Sequence, residues 1–398
     1  MKLKKILSLC LAGAMVLSLA ACGSKDSGSS DNASADNGAQ ASSDAQVFKI
    51  GSIGPTTGGA AIYGNAVKSA IEIAVDEVNA AGGINGYQVE CNFQDDEHDA
   101  EKSVNAYNTL KDWGMQILVG TVTSKPCEAV VEKTSADNMF QITPSATSVN
   151  SIQHENAFRM CFSDPNQGTE SANYIADNSL ATKISVIYDS SDTYSSGIYT
   201  QFAATAKERG LEIVTADAFT ADSNTDFSVQ IQKAKDAGAD LLFLPIYYSQ
   251  AALILQQADK IGYDPVFFGV DGMDGILSVE NFDTTLAEGL IFLTPFAATA
   301  EDDLTQNFVK AYEAKCGETP NQFAADAYDC VYVLKMAIEK AGVTPDMSVS
   351  DICEALKPVM GEISYTGLTG QDISWTAEGE PSKAPIVVKI VNGAYELQ

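Results

Sequence analysis

The stretch Ile142-Thr143-Pro144-Ser145-Ala146-Thr147-Ser148 runs from a strand-like end, through a proline, into four small residues of which three carry hydroxyls. Short side chains beside a helix start leave backbone N–H groups open, and that combination suits a carboxylate. Thr121, Val122, Thr123 and Ser124 follow the apolar run "ILVG" in the same way. Farther along, Tyr194, Tyr247 and Asp271 each stand at or beyond the end of an apolar run. Tyrosine faces with one carboxylate suit an ammonium. The chemistry the two sets can do together is capture, at both ends, of a small molecule that carries both charges.

Bond-making chemistry has little to work with. His98 and His154 are the only histidines and no G-x-S-x-G occurs, which leaves a serine or cysteine hydrolase with almost no residues to use as a base. "GPTTGG" lacks the G-K-[ST] ending of a phosphate loop. "DDEHD" (95–99) offers four carboxylates and a histidine. Contiguous acids cannot all face one ion, and a place between a strand and a helix reads as a capping loop. We therefore expect no catalytic residue, no metal and no cofactor.

The elements that would position these residues alternate. Strand-like "VFKIGSI" (47–53) leads into the loop "GPTTGGAAIYG", and Val67, Ala70, Ile71, Ala74, Val75 and Val78 then mark one helical face. Gly82-Gly83 stops that helix. Strands at 87–93, 115–120 and 139–143 alternate with helices at 100–113 and 126–136. The rhythm restarts with strands at 183–189, "LEIVTADAF", 239–246 and 265–271, separated by helices near 195–209, 227–236 and 250–261. Helices are also expected at 302–315 and 322–341, and a hairpin at 384–397. Alternation of this kind implies parallel sheets covered on both faces, and two runs imply two doubly wound α/β lobes. In such sheets ligands sit outside the carboxyl ends of the strands, where the hydroxyls, tyrosines and Asp271 fall. A ligand spanning a carboxylate set on one lobe and an ammonium set on the other is an α-amino acid.

The 398 residues suffice for two cores, and the hydrophobic share of 45% with 19% charged is that of a globular chain. A formal net charge of −29 would repel a phosphate backbone, so nucleic acid is not expected as a partner. The first residues differ in kind. Lys2, Lys4 and Lys5 precede an apolar run from Ile6 to Ala21, followed abruptly by Gly, Ser, Lys and Asp. That is an export signal, and the run is short for a span, which needs ~20 apolar residues. Leu19-Ala20-Ala21-Cys22 resembles a bacterial lipobox, which implies cleavage after Ala21 and diacylglycerol on Cys22. Residues 22–46 are almost entirely small and polar, as in a flexible tether between membrane and domain. With Cys10 and Cys22 set aside, Cys91, Cys127, Cys161, Cys316, Cys330 and Cys353 remain. An even number permits disulfides in an exported chain, but most read as buried free thiols, and the absence of C-x-x-C argues against a redox or zinc site.

The stretch "IGSIGPTTGGAAIYGNAVKSAIEIAVDEVNAAGGINGYQVE", followed in order by "ITPSATS", "VIYDSSDTYSSG" and "FFGVDGM", resembles the leucine/isoleucine/valine-binding protein family, from about Val47 to the C-terminus. These are type I periplasmic-type substrate-binding proteins of ABC importers. The resemblance implies lobe 1 from 47–165 and 295–380, lobe 2 from 166–294 and 381–398, and a three-segment hinge near 165, 294 and 381. It implies that Ser124 and the loop Ser145, Ala146 and Thr147 hold a carboxylate. Asp271, Tyr194 and Tyr247 would hold the ammonium, and Tyr63 and Phe323 would pack on the ligand side chain. Partners would be an amino acid, permease subunits with their ATPases, and the membrane through the lipid anchor. Two departures stand out. Family members carry a glutamate where Asp271 stands, and a disulfide where His98 and Thr123 stand. The same fold binding urea, a short amide or an aromatic acid, or serving as a sensor, is the alternative.

Overall fold

Phe48, Ile50 and Ile53 are fully buried in β1 (Phe48–Gly54), a strand apolar on both faces, as a central parallel strand must be. The computed structural model describes residues 46–398. The expected leader at 1–21, the expected lipidation at Cys22 and the expected linker up to residue 45 lie outside the described residues.

β1 leads into α1 (Ala61–Ala80), then β2 (Val89–Asp95), α2 (Ala100–Trp113), β3 (Ile117–Gly120), α3 (Ser124–Ala136), β4 (Gln141–Thr143) and β5 (Ala157–Arg159). The five strands pair in parallel in the order β2-β1-β3-β4-β5. Asp99 starts α2 by accepting the N–H groups of Glu101 at 2.9 Å and Lys102 at 2.8 Å. Such a cap stabilises by about 1 kcal/mol. The "DDEHD" acids are used locally: Asp95 accepts from Thr56 and Thr57, and Asp96 from the His98 N–H.

The chain then forms α4 (Asp164–Asp177), β6 (Ile184–Asp189), α5 (Thr193–Arg209), β7 (Ile213–Phe219), α6 (Ser228–Asp236), β8 (Leu241–Leu244), α7 (Tyr248–Lys260), β9 (Val266–Gly269) and β10 (Ile291–Thr294). It returns to the first layer as α8 (Asp303–Cys316), α9 (Gln322–Ala341), α10 (Val349–Met360) and the short pair β11 (Tyr365–Gly367) and β12 (Gly370–Ile373). β13 (Ile386–Val391) and β14 (Ala394–Leu397) close the second sheet, whose order is β14-β13-β10-β9-β8-β6-β7. β13 and β14 are antiparallel at one edge and the other five strands run parallel. The backbone thus passes between the sheets three times, after β5, after β10 and after β12.

α9 lies along α1, and both bury alanines and branched residues, among them Ala70, Ala74, Ala324, Ala327, Val331 and Leu334. Buried Asp329 on α9 ties down the β11–β12 pair. Its Oδ1 accepts from Tyr365 Oη and Leu368 N, and its Oδ2 from Thr369 N and Oγ1, at 2.7–3.0 Å. A Cβ at Gly367 would lie 2.4 Å from that carboxylate, so only glycine fits there.

Several elements depart from the sequence expectation. α3 begins at Ser124, with Thr123 as N-cap, and not at Pro126. α4, α10, β5 and the β11–β12 pair were not expected at all. α4 opens with Ser163-Asp164-Pro165, a helix start that composition alone signals. All six cysteines among the described residues are free thiols.

Candidate ligand-binding site

Tyr63 sits on the first turns of α1, where the loop after β1 folds back against the helix. A Cβ at Gly64 would lie 1.9 Å from Pro55 O, so this close approach requires glycine. The Tyr63 ring is fully buried. It stacks on Phe323 of α9 at 4.0 Å between centroids and meets Tyr247 edge-on at 5.6 Å. Tyr247 in turn stacks on Tyr194 at 4.7 Å and 13°. Four aromatic rings from α1, α5, the end of β8 and α9 therefore form one continuous wall.

Asp271 lies in that wall. Its Oδ1 accepts from Tyr194 Oη at 2.6 Å, and the same Oη accepts the Gly272 N–H at 2.9 Å. The Asp271 N–H donates to Gln167 Oε1 at 3.1 Å, and its C=O accepts from Gln322 Nε2 at 2.7 Å. Burial pushes the Asp271 carboxyl up to about 7, with Asp326 adding a like charge. A carboxylate held in this way gains from a cationic partner.

The loop pair after β3 and β4 is woven from hydroxyls. Thr143 Oγ1 donates to Thr121 O at 2.6 Å, and Ser145 Oγ donates to Val122 O at 2.7 Å. Ser124 Oγ accepts the Ser148 N–H at 3.2 Å, so Ser124 ties the two loops together and does not cap a helix. One expectation needs correction: the N–H groups of Ser145 and Ala146 are not free. Thr143 Oγ1 accepts both, at 3.3 and 2.9 Å, because the turn after Pro144 folds back onto the strand end. Thr147 Oγ1 is buried beside the Asp164 carboxyl, with no partner at close hydrogen-bond distance.

α4 connects the two sets. The Asp164 N–H donates to Thr147 O at 2.9 Å, and Gln167, one turn on, reaches Asp271. Burial raises the Asp164 carboxyl well above the carboxylate range, and the Asp271 charge raises it further. Behind the loop, buried Arg159 donates to Thr147 O through Nη1 at 2.5 Å and pairs with Glu380 at 3.1 Å. Gln167 Nε2 and Gln322 Oε1 are also buried without partners. Unmatched donors and acceptors together favour a polar ligand over an apolar one.

The structure thus brings Tyr63, Tyr194, Tyr247, Asp271 and Phe323 into one cluster, with Ser124, Ser145, Ala146 and Thr147 on an adjoining loop pair. Sequence reasoning missed Asp164, Gln167, Gln322 and His98. His98 Nδ1 lies 2.9 Å from Thr123 Oγ1, so a hydrogen bond spans the two positions discussed above. The ring also packs edge-on to Tyr247 at 5.4 Å, and burial lowers its pKa to about 4, which keeps it neutral.

A family model described as periplasmic binding protein matches residues 47–394. The chain is 31% identical to Leu/Ile/Val-binding protein homolog 3 of Brucella melitensis over 325 residues, 80% of this chain and 86% of that protein. It is 29% identical to the leucine-, isoleucine-, valine-, threonine-, and alanine-binding protein of Pseudomonas aeruginosa, over 78% of this chain and 83% of that one. Among solved structures, a branched-chain amino acid transporter substrate binding protein of Streptococcus pneumoniae in complex with isoleucine superposes with a TM-score of 0.80. That pair is 30% identical, and the match covers 88% of this chain and 99% of the other.

Proposed function

The chain belongs to the periplasmic binding protein family, and from that premise we propose that it is the extracytoplasmic substrate-binding component of an ABC importer for an apolar α-amino acid, branched-chain in the first instance. The observation that carries this reading is the buried Asp271 carboxylate inside a wall of four aromatic rings. A carboxylate in an apolar box selects an ammonium attached to an apolar body. Thr147, with Ser124 and Ser145 behind it, receives the ligand carboxylate. Tyr63 and Phe323 cover the side chain.

Function is capture, with no bond made or broken. The open protein takes the ligand on lobe 1 (47–165 and 295–380). Lobe 2 (166–294 and 381–398) closes over it about the three crossings, and water leaves both charged ends. The closed form docks on a permease, and ATP hydrolysis by partner chains drives release. Cleavage after Ala21 and acylation of Cys22 hold the domain at the outer face of the membrane through the linker at 22–46. Two acyl chains anchor stably where one is marginal, at ~0.8 kcal/mol per buried methylene.

A thermal-shift screen of residues 46–398 against the amino acids, urea, short amides and benzoates tests the reading. At one hundred times its dissociation constant a ligand stabilises by ~2.7 kcal/mol. Stabilisation by Leu, Ile or Val, and not by the corresponding amines lacking the carboxylate, is expected. A response to an amide or benzoate alone refutes the amino-acid assignment. Incorporation of labelled palmitate that disappears in Cys22→Ala tests the anchor.

A further inference from the structure

Two of the three crossings between the sheets are sewn together. The Arg159 N–H, at the end of β5, donates to Gly379 O at 3.1 Å, and Trp375 Nε1 donates to Arg159 O at 2.8 Å. Lys383 Nζ joins the same two stretches, which follow β5 and β12, by donating to Met160 O at 3.1 Å. The first and third crossings therefore form one strap.

The strap is fastened to one helix. Lys383 Nζ lies 2.5 Å from Asp326 Oδ1 on α9, with the two side chains 1% and 2% exposed. Asp326 follows Gln322 by four residues, so the two share a helix face. Gln322 is bonded to the turn after β9: its Nε2 donates to Asp271 O and its N–H to Asp274 Oδ2, both at 2.7 Å. Phe323, next in the chain, stacks on Tyr63. The first two turns of α9 are thus held both by the ligand-site turn of the seven-stranded sheet and by the strap.

A buried lysine–aspartate pair is a weak source of stability, because desolvation offsets most of the attraction and an apolar pair of similar volume often does as well. What it supplies here is a fixed geometry: the Lys383 ammonium reaches both its acid and the Met160 carbonyl only with α9 and the two crossings in one register.

We propose that Lys383 is a positioning residue for ligand capture, which couples the first and third crossings to the α9 turn that carries Gln322 and Phe323, so that the bend of the crossings and the shape of the ligand box change together. This rests on the capture reading above. Lys383 acts through Asp326 and not by contact with the ligand.

The test uses the full chain carrying Asp326→Ala with Lys383→Met, at pH 8, above the Asp326 carboxyl that burial raises to about 6. The stability lost in Asp326→Ala should largely return in this double variant, by urea denaturation. Its affinity for leucine, by calorimetric titration, should stay at least tenfold below the wild type, since the apolar pair replaces the packing and not the tie. Leucine affinity within threefold of the wild type overturns the proposal. If the double variant does not fold, Lys383→Met alone is read in the same way, because Asp326 can take up a proton when its partner is gone. If the wild type binds no leucine, the amino-acid reading fails on its own, and small-angle scattering of the ligand-free proteins decides this one. A larger radius of gyration in the variant supports the tie, and superimposable curves overturn it.

Discussion

The Tyr63 hydroxyl donates to the Gly272 carbonyl at 2.5 Å, so a side chain of α1, over the five-stranded sheet, is bonded directly to the turn after β9 of the seven-stranded sheet. The same Oη accepts the Tyr248 N–H at 3.3 Å. Tyr63 is therefore a latch between layers as well as a wall of the proposed ligand box.

Tyr63→Phe keeps the stacked ring and removes the latch. A neutral hydrogen bond contributes about 1 kcal/mol net, so the dissociation constant for the amino acid should rise roughly fivefold. Because the bond joins the two layers that the proposed closure brings together, the change should appear in the dissociation rate. Stopped-flow fluorescence separates the two rates, and an unchanged off-rate would show that the bond does not hold the cleft shut.

Asp271→Asn should cost about 2–5 kcal/mol of amino-acid affinity, since it leaves a buried ammonium without its counter-charge. Asp271→Glu should retain much of the affinity by keeping the charge. Titration calorimetry on both variants decides, and equal loss in the two would mean that side-chain length, not charge, matters here.

Acidification should act in opposite directions on the free and the liganded protein. Asp96, Asp271 and Asp274 each have a carboxyl pushed up by burial to about 7 from an ordinary 3.8. A raised folded-state pKa means that the folded chain holds protons more tightly than the unfolded one. The associated stability is full below about 3.8 and is lost as pH rises through about 7. The unliganded midpoint should therefore climb between pH 8 and pH 5. Amino-acid affinity should fall over the same window, because the ammonium needs Asp271 ionised. Scanning calorimetry with and without ligand measures both. A free-protein midpoint that falls from pH 8 to pH 5 would contradict the first half.

His98 should stay neutral across the physiological range, since burial lowers its pKa to about 4. It and His154 are the only histidines in the chain, so an NMR titration resolves both. A His98 midpoint above pH 6 would mean that the ring is far more hydrated than its packing on Tyr247 implies.

Lys383 and Asp326 form a buried pair at 2.5 Å, both almost fully buried, at the third passage of the chain between layers. The Lys383 ammonium also donates to Met160 O at 3.1 Å. Asp326→Ala should destabilise by roughly 3–5 kcal/mol, because it strands a buried cation. The double variant with Lys383→Met should recover much of that loss in urea denaturation. A double variant no more stable than the single one would assign the loss to packing.

Much of this protein is written in local pattern. Val67, Ala70, Ile71, Ala74, Val75 and Val78 recur at helical spacing and form the buried face of α1. Strand-like runs followed by small polar residues marked β1, β3 and β4, and the residues after them are those that gather at the site. α4 escaped because its exposed and buried residues are mostly polar or small, so hydrophobic periodicity is faint there. Its start at Ser163-Asp164-Pro165 was the signal available. The hydroxyl loop was legible in kind but not in detail. Residue types announced a polar turn, yet which N–H groups stay open depends on Thr143 Oγ1 folding back onto Ser145 and Ala146.

The sequence by itself determined the class of the fold, the paired layers and the strand-end positions of Tyr194, Tyr247 and Asp271, because burial periodicity and strand-end chemistry are properties of neighbours in the chain. Only the tertiary structure decided that Gln167 meets Asp271 from 104 residues away, that Gln322 meets it from 51, and that His98 pairs with Thr123. Those contacts follow from strand order and from how α4 and α9 lie across the layers. Such an arrangement is selected by the packing of the whole core, and no local spacing encodes it.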